Sequence, residues 1–252
     1  MLATLDGFFW VIAAIVLLLF LQRALHREIQ AIFLILTRDP NITILAFSLL
    51  FLPGVFLHEL SHLVLARLLG VRTGKFSLIP TVLPDGRLQL GYVEAAHSDI
   101  VRDSLVGVAP LISGILFVAY VAIERLQLVV LWDTLRNGQW TLFAMGLRIL
   151  PTLPDFWLWF YLTFAVSSTM MPSESDRHAW LPFGIVSAVL FGLVLLAGAG
   201  QWMLENIAPG LNEFLRGTAL ILLVSILVHL VLMVPLLLLH RLLTRLTGLD
   251  VG

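Results

Sequence analysis

The sequence predicts an all-α polytopic membrane protein of about six transmembrane helices, with a small membrane-associated β-hairpin. Three observations predict it. Of the 252 residues, 60% are hydrophobic and 12% charged, whereas a soluble domain carries about 25% charged and about 45–50% apolar residues. The mean hydropathy is +1.00. The apolar residues also gather into runs close to the roughly 20 needed to cross about 30 Å of hydrocarbon.

The first run is Gly7 to Leu21. Its N-terminal flank lacks the basic region and small-residue cleavage site of a signal peptide, so a retained span is expected. The second run is Ile42 to Gly70. Residues 71–103 follow as the longest polar segment, and the β-type runs on either side of Asp85-Gly86 predict a hairpin over 74–96. The third span is Leu105 to Glu124. Residues 125–150 mix Trp, Leu and charge, and neither half is long enough to span. They are expected to form an interfacial element or a helix extension. The fourth span is Phe156 to about Met171, the fifth Leu181 to about Met203, and the sixth Gly217 to His240. Most tryptophans fall near span ends, as an aromatic belt requires.

Charge and cysteine usage bound the chemistry. The net charge is −1, which gives no footprint for nucleic acid, and no motif points to a nucleotide. The chain has 0 cysteines, so any metal must be held by His, Asp or Glu. Alternating six spans divides the 15 Lys and Arg residues eight to seven between the two faces. That count does not fix an orientation.

One span contains an expensive feature. Within "FLPGVFLHELSHLVLARLLG" stand His58, Glu59 and His62. Ionisable groups inside a span are costly and functional by default. His58 and His62 lie four apart, on one helix face, where two imidazoles can bind one Zn²⁺. Glu59 beside them suits a general base acting on a water that the metal activates. By chance this pattern arises on the order of once in 200 chains with 7 His of this composition.

A catalytic zinc usually takes three protein ligands. His58 lies about 24 Å along the second span from Ile42, at about 1.5 Å per residue. The fourth span points the same way, and Asp176, 20 residues after Phe156, lies about 30 Å along it at comparable depth. Asp176, with His178 and Glu174 beside it, thus supplies the candidates for the third ligand. The third span starts on the same face, which brings Gly107 to Pro110 to that layer.

These features together resemble the site-2 protease family of intramembrane zinc metalloproteases, over about residues 42–180. "HELSH" corresponds to the family's zinc motif, "GVAPLISG" to its small-residue-Pro stretch, and "SSTMMPSESD" to the segment bearing its Asp ligand. The resemblance implies a three-helix catalytic core over 42–180, an accessory first helix over 1–41 and two C-terminal helices over 181–252. It implies one Zn²⁺ per chain held by His58, His62 and Asp176, with Glu59 as the catalytic base. It further implies transmembrane-helix protein substrates and a site near the cytosolic face, with both termini cytosolic. The family's substrate-positioning Asn residues are absent, and Ser168, Thr169 and Ser113 stand near their places. Arg177 replaces the Gly after the Asp ligand. With no PDZ or CBS domain, selection by a soluble module is not expected.

Two other classes stay open. One is a zinc-binding membrane protein without proteolytic activity, such as a pseudoprotease that binds transmembrane helices. The other is a prenyl-protein type of zinc protease, which would use Glu174 as ligand. Outside the motif, His229 is expected to be a core histidine bonded to a neighbouring helix. His240 is expected at the interface, and His97 in a solvated loop.

Overall fold

The structure, a computed structural model, describes residues 6–82 and 88–249. Five of its helices are long and apolar enough to cross a membrane, or six if one bent pair counts as a single span. A multi-pass architecture follows from their length and composition.

α1 covers Asp6–Thr37 and α2 covers Pro40–Leu68. The expected first span ended at Leu21, but the helix runs on to Thr37. The polar residues of "QRALHREIQ" interrupt the apolar run, and none of them breaks a helix. The Asp39 side chain caps α2 by accepting from the Asn41 N–H at 2.7 Å, and Pro40 occupies the first turn. Inside α2, Pro53 disturbs the backbone ladder. The Tyr161 hydroxyl donates to the Leu50 carbonyl in that turn at 2.8 Å.

A nested antiparallel hairpin follows. β1 (Thr73–Ser77) pairs with β4 (Tyr92–Ala95), and β2 (Thr81–Val82) pairs with β3 (Leu88–Gln89). The Asp85-Gly86 turn signal lies outside the described residues. α3 covers Ile100–Tyr120, is capped by Asp99 and continues as a π turn over Val121–Arg125.

Residues 125–150 form two short helices, α4 (Leu128–Arg136) and α5 (Trp140–Ile149), neither of which buries a side chain. The axis then bends by 92° into α6, Phe156–Ser167. The expected fourth span is thus shorter than its apolar run. Its 12 residues rise about 18 Å. The hydroxyls of Ser167 and Thr169 turn back onto carbonyls of α6, and Pro172 cannot continue a helix. Asp176 therefore reaches its depth through a loop, and the helical distance assumed for it does not apply.

α7 (Trp180–Val194) and α8 (Gly200–Asn206) form one candidate span, broken at Gly198, which has φ 86°. Nothing in its apolar window is buried. α9 covers Ala208–Thr247, longer at both ends than the expected Gly217 to His240.

The core lies where α1, α2, α6 and α9 meet. Leu25, Ile29, Phe47, Phe51, Val55, Phe164 and Val228 form one buried cluster. Gly54 makes the α2–α6 approach possible: a Cβ there would lie 2.2 Å from the Ala165 carbonyl oxygen. Small residues permit such close backbone contact in membranes. This packing presents the middle of α2 to the end of α6 and the loop after it.

Candidate metal centre

His58 and His62 sit one turn apart on α2, and each ring is anchored by a backbone carbonyl. His58 Nδ1 donates to the Thr169 carbonyl at 2.6 Å, and His62 Nδ1 donates to the Val106 carbonyl at 2.9 Å. A carbonyl can only accept, so both Nδ1 atoms carry the proton. In a neutral ring each Nε2 then holds a bare lone pair. The two Nε2 atoms face each other at 3.3 Å.

Asp176 completes the cluster. One carboxylate oxygen lies 3.3 Å from His62 Nε2 and the other 3.7 Å from His58 Nε2. Three acceptor atoms thus converge on one point. A tetrahedral zinc with bonds of about 2.0–2.1 Å separates its ligand atoms by about 3.3–3.4 Å. Three acceptors at this spacing repel unless a proton on an imidazole or a cation among them relieves the contact. The donor set, its spacing and its carbonyl anchors fit a divalent metal.

The loop and α3 hold Asp176 in place. The backbone N–H and hydroxyl of Ser173 both donate to one Asp176 oxygen at 2.6 Å. A Cβ on Gly107 would lie 2.0 Å from the Asp176 carbonyl oxygen. The turn of α3 at the start of the "GVAP" stretch therefore contributes the carbonyl of Val106, just before it, and the gap at Gly107.

Glu59 is buried on the same helix. The hairpin lies against it: a Cβ on Gly91 would meet Glu59 Cγ at 3.0 Å and Val55 Cγ1 at 3.0 Å. His58, Glu59, His62 and Asp176 line a cavity of about 800 Å³ bounded by strand residues 88–96 and the loop around 173–178.

The remaining expected residues are placed differently. The Ser168 hydroxyl is buried against His229 Nε2 at 3.0 Å, which makes His229 the core histidine the sequence suggested. The Thr169 hydroxyl bonds back to the Ala165 carbonyl, and Thr169 serves the site through its own carbonyl. The Ser113 hydroxyl bonds to the Pro110 carbonyl, and Ser113 does not line the cavity. Glu174 lines the cavity, but the groups that converge with His58 and His62 are those of Asp176. His178 points into a second cluster with His97 and Asp103. His240 pairs with the buried Glu28 at 2.6 Å.

Sequence reasoning missed Arg23 and His26, which line the cavity from α1, and Gln22, which bonds the Ser168 carbonyl. Their signal was readable. Gln22, Arg23, His26 and Gln30 recur at helical spacing and mark a polar face once α1 is extended past Leu21. Gly91 carried no such signal. No family model, curated protein or solved structure matches this chain.

Proposed function

We propose that the chain is an intramembrane zinc metalloprotease of the site-2 protease kind, which hydrolyses peptide bonds within or near transmembrane segments of membrane-protein substrates. One observation carries the reading: two carbonyl-anchored imidazoles and a carboxylate converge at metal-ligand spacing beside a buried Glu, inside an apolar helix. His58, His62 and Asp176 would hold Zn²⁺. When bound, such an ion supplies Lewis-acid chemistry, lowering the pKa of water toward about 7 and polarising a peptide carbonyl.

The chain's own groups do the rest. Glu59 accepts the proton of the attacking water and passes it to the leaving amine. It stands largely buried beside Gly91, on the wall of the cavity. A helical substrate must unwind locally, because its carbonyls are otherwise hydrogen-bonded. Among the described residues β4 pairs only with β1, and Tyr92, Val93 and Ala95 border the cavity. That strand can hold an unwound segment by β-addition. A site near the cytosolic face fits this reading.

The test is Glu59→Gln in the reconstituted full chain with a transmembrane-helix substrate. Zinc should be retained and cleavage lost; full activity in the variant ends the proposal. The non-proteolytic zinc protein has one observation in its favour. The hydroxyls of Ser168 and Ser113 are bonded inside the fold, so neither is free to position substrate. That reading expects no cleavage by the wild type either.

A further inference from the structure

At the mouth of the cavity a second cluster joins three segments. His97 follows β4, Asp103 lies in the first turn of α3, and His178 lies in the loop that carries Asp176. The three ligand atoms lie within 4.8 Å of one another. One oxygen of Asp103 stands 3.4 Å from His178 Nε2 and 3.7 Å from His97 Nδ1. Its other oxygen accepts the Ser98 N–H at 3.0 Å, which fixes the carboxylate's rotation.

The tautomer of His178 is set by its surroundings. Its Nδ1 donates to the Ser175 carbonyl at 2.7 Å, so in the neutral ring Nε2 carries only a lone pair. That lone pair faces a carboxylate oxygen at 3.4 Å, a contact made favourable either by a second proton on the ring or by a cation between the two groups. The 3.7 Å separation from His97 is too long for a hydrogen bond. It is near the spacing of two ligands on one ion. Both ligand groups bonded inside the fold have the outer partners that tune and orient metal ligands, Ser175 for His178 and Ser98 for Asp103.

We infer that His97, Asp103 and His178 form a second divalent-metal site, distinct from the His58–His62–Asp176 centre and selective for late first-row ions such as Zn²⁺. Two imidazoles and one carboxylate favour that class over Mg²⁺ or Ca²⁺. An ion there ties the end of the hairpin and the start of α3 to the loop two residues from Asp176. The mouth of the cavity is thereby fastened by metal from outside the centre that does the chemistry.

The inference goes beyond the proposed function and can fail separately from it. The full chain, purified in detergent, is dialysed to equilibrium against excess Zn²⁺ and its bound zinc measured by elemental analysis. Wild type should hold two ions per chain. His97→Gln and Asp103→Asn should each hold one, and the double variant His58→Ala/His62→Ala should also hold one. His97 is 87% exposed, so its replacement leaves the fold intact. Zinc beyond the first equivalent should raise the melting temperature of wild type but not of His97→Gln. One ion in wild type at saturation, or two in His97→Gln, overturns the second site. Loss of no ion in the His58/His62 variant instead overturns the first centre and leaves the second standing.

Discussion

Gly107 and Asp176 meet through their backbones. A Cβ on Gly107 would sit 2.0 Å from the Asp176 carbonyl oxygen, a separation no side chain tolerates. α3 therefore fixes the height of the loop that delivers the carboxylate, and the same turn holds His62 through the Val106 carbonyl.

Gly107→Ala should push Asp176 away from the two imidazoles. Outer partners of metal ligands typically contribute about 10–100-fold in metal affinity, and a loss in that range is expected. A zinc competition titration measures it. Gly114→Ala is no control, because Met170 crowds that position. Gly217→Ala meets open space and should leave zinc affinity unchanged.

Gly91 does for Glu59 what Gly107 does for Asp176. Gly91→Val places a branched side chain against Glu59 Cγ, Val55 and the Ser77 carbonyl. The hairpin must lift or the carboxylate must turn. A misplacement of about 1 Å can cost on the order of 100-fold in rate. The variant should keep its zinc and lose at least about tenfold in turnover per bound ion, measured on a reconstituted transmembrane substrate. Unchanged turnover would show that the hairpin does not position the base.

Much of this arrangement was legible in the sequence, for identifiable reasons. Composition and run length gave the spans because hydrocarbon thickness fixes helix length. The His58–Glu59–His62 spacing reads directly as a helix face. A depth count along the fourth span brought Asp176, Glu174 and His178 to the level of the motif and the family resemblance singled out Asp176, yet α6 stops at Ser167 and a loop makes up the distance. The extension of α1 to Thr37 was lost because apolar runs mark lipid contact, whereas helices end only where backbone chemistry ends them. Gly91 and Gly107 matter through atoms they lack, and an absent Cβ declares its purpose only when its neighbours are known.

Single substitutions in the loop sort the carboxylates and imidazoles. Asp176→Ala should release the ion held by His58 and His62. Glu174→Gln should retain it, and His178→Gln should retain it while losing any ion held with Asp103. Cobalt substituted for zinc gives a visible spectrum that reports the ligand set of each site. Retention of the first ion in Asp176→Ala together with its loss in Glu174→Gln would favour the prenyl-protein type of centre.

The last relationship concerns stability, away from the site. Glu28 on α1 is buried and accepts from His240 of α9 at 2.6 Å, with Arg27 at 3.7 Å from its other oxygen. His240→Leu leaves that carboxylate without its closest partner. Removing one member of a buried pair costs about 3–5 kcal/mol, and the nearby Arg27 should hold the loss at or below that range. The double variant Glu28→Gln/His240→Leu removes the charge together with its partner and should recover part of the loss. Unfolding titrations of the two single variants and the double variant give the coupling energy directly. Zinc content should stay unchanged in all three, because the pair lies outside both metal clusters. A coupling near zero would mean that this pair adds nothing to the α1–α9 contact, which also has the Asp6–Arg216 ion pair and the Gly7 N–H bond to Asn212.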